Sequence, residues 1–358
     1  MKKLLSSLMT IAALSVAALT STAADKPFKI GVIYPGPIGD FGYSYQHAQG
    51  LNAVKEKYGD KVEIVNVESV PEGPESEQIL SKLAREGADM IVSTSFSYMN
   101  PTVKVAKKFP NIKFEHATGY KRDKNMATYS SRFYEARYIS GLIAGHMTKS
   151  NEIGYIASFP IPEVIRGINA FKLGLQKTNP DAHINIIWVN SWYDPAKEGE
   201  AARTLADKGS DILVQHTDST APMQLAEERG LYAFGQATDM IKFGPKAQLS
   251  SVVDDWAPYY LKRVEEAMNG TWKTGDVWGG FNTGMVAMAK FNDAIPAEVQ
   301  AEANAAIKAI SDGSFNIFAG PLKNQAGEVV AEEGKALSDE DLLGMNYYIE
   351  GIDAKYPD

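Results

Sequence analysis

The feature that most constrains the fold is an internal repeat. Ile153-Gly154-Tyr155-Ile156 repeats Ile30-Gly31-Val32-Ile33 about 120 residues further along the chain. Ile184-Asn185-Ile186-Ile187 follows Val62-Glu63-Ile64-Val65 at almost the same offset, and the run Ala206 to Val214 follows Ala84 to Val92. Phe234-Gly235-Gln236-Ala237-Thr238 echoes Phe114-Glu115-His116-Ala117-Thr118. Each repeated piece is a short apolar run of the kind that a strand buried on both faces needs, with a helical pattern after it. The spacing predicts an α/β protein of two Rossmann-like lobes. Each would be a parallel sheet joined by right-handed crossovers. A length of 358 residues agrees, since one core seldom serves a chain this long.

In the first copy, Ile30–Tyr34 reads as a strand and Tyr45–Lys57 as an amphipathic helix, with a loop containing Gly36, Gly39 and Gly42 between them. Strands are expected at Lys61–Glu68, Ala88–Ser93, Ile112–His116 and Met126–Ser131, with a loop over Val70–Ser76. Helices are expected at Glu77–Glu86, Pro101–Phe109 and Phe133–Met147. Past the second copy, Gln248–Val253 reads as a strand and Trp256–Met268 as a helix. Trp272–Phe281 reads as a return between lobes, Pro296–Ser311 as a helix, and the tail from Asn316 as a hairpin plus a short helix. The expected division is 1–24 a secretory signal, 25–150 with about 255–281 the first lobe, and 151–254 with about 282–358 the second. Several strands crossing between lobes would form a hinge.

Residues 1–24 carry Lys2 and Lys3, an apolar run from Leu4 to Leu19, and small residues around Ala23 and Ala24. That is the pattern of a cleaved export signal. The chain has no cysteine, so disulfides, thiol nucleophiles and thiolate metal sites are excluded, as is lipidation at the cleavage point. A net charge of −8 leaves no basic face for nucleic acid or an anionic membrane. The expectation is a periplasmic, soluble, unanchored monomer.

Gly36, Gly39 and Gly42 do not form a dinucleotide or phosphate loop, and Asp40 among them would repel phosphate. The histidines at 47, 116, 146, 183 and 216 lack metal-site spacing. His216-Thr217-Asp218-Ser219 holds base, acid and hydroxyl too close in sequence to converge as a triad, so a polar strand tip is the better reading. No catalytic group and no cofactor are expected. What gathers at the strand tips is aromatic and acidic: Asp40, Phe41, Tyr43 and Ser44 after the first strand, Phe96 and Tyr98 after the third, then Trp192, Tyr193, Asp218, Asp239, Asp255 and Trp256 in the second copy and beyond. Open α/β sheets bind ligands at such carboxyl ends. Rings stack on flat solutes, and ionised carboxylates accept from ring N–H groups or exocyclic amines. The expected ligand is therefore small, planar, polar and uncharged. Asp194 before Pro195 reads instead as a helix cap.

The stretches IGVIYPGPIGDFGYSYQHAQG, PTVKVAKKFPNIKFEHATGY, RFYEARYISGLIAG and NSWYDPAKEGEAA resemble the basic membrane protein (BMP) family of ABC-importer solute-binding proteins, to which purine-nucleoside receptors belong. The resemblance spans nearly the whole mature chain. It implies a periplasmic-binding-protein type I fold, a small-molecule ligand between the lobes, and an inner-membrane ABC permease as partner. By position it implies that Tyr43 and Trp192 take the places of the base-stacking aromatics. The family's sugar-gripping lysine is replaced by Asp254 in Ser251-Val252-Val253-Asp254, and Gly235 to Asp239 keeps only the later of two aspartates. HATGY, QHTDS and SSVVDDW resemble a subgroup suited to a free nucleobase, adenine foremost. Asp254 or Asp255 with Trp256 would fill the space of a ribose.

Overall fold

The structure, a computed structural model, describes residues 26–357, so the expected export signal lies outside the described residues. The first lobe is built from β1 (Phe28–Ile33), α1 (Tyr43–Tyr58), β2 (Val62–Val67), α2 (Pro74–Arg85), β3 (Met90–Ser93), α3 (Met99–Lys108), β4 (Lys113–Ala117) and β5 (Met126–Ser131). The second repeats the series with α4 (Phe133–Met147), β6 (Glu152–Ala157), α5 (Pro162–Thr178), β7 (His183–Trp188), α6 (Pro195–Asp207), β8 (Ile212–His216), α7 (Ala221–Arg229), β9 (Tyr232–Gly235) and β10 (Gln248–Asp254). The chain then returns to the first lobe for α8 (Ala257–Met268) and β11 (Asp276–Gly279). It re-enters the second for β12 (Val286–Met288), α9 (Ala297–Ser311), the hairpin β13 (Leu322–Lys323) with β14 (Val329–Ala331), and α10 (Asp339–Leu343).

The duplication is explicit in the sheets. Strand order is β11-β5-β4-β3-β1-β2 in one and β12-β10-β9-β8-β6-β7 in the other. Register repeats between the first and third strands of each copy, with Ile30 beside Met90 and Ile153 beside Ile212. Pairing is parallel except where β12 closes its sheet antiparallel to β10. Three crossings, at 131–133, 254–257 and 279–286, connect the lobes.

Two expectations need correcting. The loop expected over Val70–Ser76 ends early, because Pro74 starts α2 in its first turn, where a missing N–H costs nothing. Helix α4, expected to close the first lobe, packs in the second. Its Ile139, Leu142 and Ile143 share a core with Ile165, Ile168 and Phe171 of α5. Glycines let the two helices touch backbone to backbone: a Cβ on Gly141 would collide with the Phe171 carbonyl, and one on Gly174 with that of Tyr138.

On the first lobe's side, Glu115 of β4 is fully buried and accepts from Arg263 Nε (2.8 Å), Tyr259 Oη (2.6 Å) and Trp272 Nε1 (2.5 Å). This knot ties the sheet to α8 and to the segment leading into β11. Burial raises the Glu115 pKa against the pull of Arg263. Breaking a buried pair from one side strands the remaining charge. Arg263→Met should lose about 3–5 kcal/mol of unfolding free energy in urea at neutral pH. The folded variant takes up a proton on Glu115 that the unfolded chain releases, so the loss should be smaller at pH 5 than at pH 8.

Candidate functional site

The carboxyl ends of the two sheets face each other across a cavity. The first lobe contributes Pro35 after β1, Tyr43 at the start of α1, Thr94, Ser95 and Phe96 after β3, and Thr118 after β4. Phe133 and Glu163, from the first turns of α4 and α5, line it too, as do Trp192 after β7, His216 and Asp218 at the tip of β8, Gln236 after β9, and Asp254 at the end of β10.

Of the residues expected at the site, the structure brings Tyr43, Phe96, Trp192 and Asp218 to this cavity. The Tyr43 ring meets His47 edge-on at 4.4 Å, and His47 stacks on Trp256 at 4.5 Å. His47 Nδ1 and Tyr260 Oη share a 2.6 Å hydrogen bond, and Tyr260 joins Tyr129 at 2.6 Å. Trp256 thus belongs to the wall behind Tyr43 rather than to the lining. Tyr43 Oη is buried without a protein partner. The Trp192 indole N–H donates to Glu72 of the opposite lobe at 3.2 Å, and its ring lies 5.3 Å from Phe159.

Asp218 acts across the cleft. Its carboxylate accepts from the Tyr43 backbone N–H at 3.1 Å, at the first residue of α1, while its own N–H donates to the Trp192 carbonyl at 2.9 Å. Asp40 serves the same helix end from within the first lobe, accepting from Gly42 N (2.8 Å) and Tyr45 N (3.0 Å). A helix N-terminus favours negative charge. Even so, burial first, and mutual repulsion in the case of Asp218, raise both pKa values, that of Asp40 to about 6.

The remaining expected residues do other work. Phe41, with φ of 62°, packs between Tyr45 and Phe243 at 5.0 Å each, with Lys242 Nζ 3.5 Å over its ring. It therefore bridges the lobes outside the cavity. Ser44 Oγ accepts from Gly36 N at 3.3 Å and shapes the loop. Tyr98 is a core residue donating to the Val70 carbonyl at 2.5 Å. Asp239 accepts from Ile241 N and Gln248 Nε2, and Asp255 from Ala257 N, so both are spent on turns. Asp194 accepts from Lys197 N at 3.1 Å and caps α6 as expected.

Asp254, rather than Asp255, lines the cavity, and its Oδ1 is buried without a protein partner. Burial raises its pKa well above the usual carboxylate range. His216 Nδ1 is also unpartnered, and burial together with Arg137 and Arg166 holds that ring neutral. Sequence reasoning missed Gln236, whose signal was its position just past β9, and left Asp254 and Asp255 as alternatives at the ribose space, of which Asp254, the last residue of β10, is the one at the cavity. Among the described residues no group of three or more acids and histidines is arranged to hold a metal, and no helix is long and apolar enough to cross a membrane.

The family model for PnrA-like ABC transporter substrate-binding proteins matches residues 28–315. A purine-binding protein of Brucella abortus (strain 2308) is 51% identical over 334 residues, covering 93% of this chain and 95% of its own. A Haloferax volcanii protein provisionally named as an ABC transporter glucose-binding protein is 36% identical, covering 91% and 80%. Among solved structures, an ABC transporter solute-binding protein from Aeropyrum pernix K1 superposes with a TM-score of 0.71 at 18% identity, covering 89% of this chain and 98% of that one. The two-lobed architecture is the periplasmic-binding-protein type I fold. The chain belongs to the Bmp family of ABC transporter substrate-binding proteins.

Proposed function

We propose that the protein captures a free purine base, adenine foremost, between Tyr43 and Trp192 and delivers it to an ABC permease in the inner membrane. The observation that carries this reading is the lining: an aromatic ring from each lobe faces one cavity, with the carboxyl groups of Asp218 and Asp254 at its edge and no lysine or arginine among the lining residues. Rings suit the faces of a planar base, and carboxylates suit its N–H groups. The name of the Brucella relative supports the purine class. Asp254, standing where the family resemblance implies a sugar-gripping lysine, favours a base over a nucleoside. In this reading the chain is exported through its first 24 residues and works as a soluble monomer, not as an enzyme.

Calorimetric titration with adenine, hypoxanthine, guanine and adenosine tests it. Adenine should bind tightest, adenosine more weakly, and silence toward all four would overturn the purine reading. Trp192→Ala should weaken adenine binding by roughly 1–3 kcal/mol.

Closure is testable separately. A Cβ on Gly42 would sit 2.7 Å from Asp218 Cβ and collide with the Asp218 backbone across the cleft. Gly42→Ala should leave each lobe folded but hold the pair apart. Small-angle scattering should show the wild type compacting with adenine and the variant staying extended, with affinity reduced; equal compaction in both would contradict this.

A further inference from the structure

Behind the cavity lies a buried cation that is not among its lining residues. Arg137 of α4 is fully buried, with its guanidinium 4.9 Å from the Phe133 ring and 5.7 Å from that of Tyr155. Its Nη2 donates to the Gln215 carbonyl at 2.6 Å and to Gln236 Oε1. Gln215 is itself locked, its amide donating to the carbonyls of Thr217 and Ser219 at 2.8 Å each. Gln236 lines the cavity and is 3% exposed.

A guanidinium has only donors, so the atom of Gln236 that meets it must be the carbonyl oxygen. The amide cannot flip without setting N–H against N–H. Among the described residues none accepts from Gln236 Nε2. Beside it, Asp254, whose backbone N–H is bonded to the Ala237 carbonyl at 2.9 Å, presents an acceptor, Oδ1, without a partner.

We infer that Gln236 is a specificity-determining residue and Arg137 its positioning residue. The pair offers the ligand a fixed N–H donor beside the Asp254 carboxyl group. The edge that fits carries an unprotonated ring nitrogen next to an N–H group. This rests on reading the site as one for a purine base, and deepens it by assigning the donor that meets a ring nitrogen. A ligand with C–H in place of that nitrogen leaves the Gln236 N–H desolvated and unpaired, which is costly in a site this enclosed.

The experiment titrates wild type, Gln236→Leu, Gln236→Glu and Arg137→Met with adenine and with its 1-deaza, 3-deaza and 7-deaza analogues. Melting temperatures confirm folding. In the wild type at least one analogue should bind about tenfold more weakly than adenine or worse. In Gln236→Leu that penalty should fall to within about threefold, since no donor remains to be stranded. In Gln236→Glu, one oxygen still meets Arg137 and the other now faces the ligand as an acceptor. The same analogue should then bind at least as well as adenine. Arg137→Met should erode the discrimination even where it retains adenine binding, an effect that lost packing alone would not produce. If a folded Gln236→Leu keeps the wild-type pattern of penalties, or if Arg137→Met leaves it intact, the inference fails while the purine reading stands. Should Gln236→Leu not fold, Gln236→Glu decides by the same comparison. A wild type that binds none of the purines overturns the functional reading and this inference with it.

Discussion

One contact holds the two halves in register: the Asp218 carboxylate of the second lobe on the first N–H of α1 in the other. The end of a helix carries unsatisfied donors and partial positive charge, so a carboxylate there gains both a hydrogen bond and a favourable field. Because the Asp218 N–H also donates to the Trp192 carbonyl, the same residue fixes Trp192 relative to Tyr43. Closing the lobes and assembling the two rings around the cavity are thus one event. Gly42 is required at the meeting point because any side chain there would occupy the space of Asp218.

Around this contact lie two more interlobe links, both outside the lining as a whole or only partly in it. Trp192 reaches Glu72, and Phe41 sits under Lys242 and against Phe243. Neither involves a buried charge pair, and each is worth little alone: a cation over an exposed ring contributes about 0.5–1 kcal/mol. Weak links suit the opening and closing that the proposed function requires. Contacts strong enough to hold the lobes shut without a ligand would lower the differential affinity on which ligand-driven closure depends.

The architecture was legible in the sequence because a duplication leaves two independent copies of each strand, and both Ile30 and Ile153 had to be buried for either to make sense. The lobe assignment of α4 was not legible. A helix at the seam belongs wherever its small residues fit, and the reciprocal fit of Gly141 with Gly174 is a tertiary fact. At the site, the rings Tyr43 and Trp192 were readable as strand-tip aromatics. Asp239 and Asp255 were misread because an aspartate at a strand tip has two uses. Bonding to a backbone N–H two residues on satisfies a turn locally, and both do so, to Ile241 and Ala257. Asp254 is the acid that escapes such a turn, since as the last residue of β10 its backbone is taken up by the sheet and its side chain is left to the cavity.

The distribution of charge bears directly on the proposed ligand class. Glu163, Asp218 and Asp254 line the cavity, whereas Arg137 and Arg166 are buried outside the lining and bonded to carbonyl oxygens. Burial lowers the pKa of both, that of Arg166 to about 10, still far above neutrality. Their charge is spent on orienting Gln236 and on holding the Leu342 carbonyl, and no guanidinium faces the ligand space. A phosphate or carboxylate entering would meet acids and give up its hydration for few donors, an unfavourable exchange. A neutral base bearing N–H groups meets acceptors that otherwise lack partners. In the proposed reading, selectivity lies as much in where the arginines are hidden as in which residues are presented.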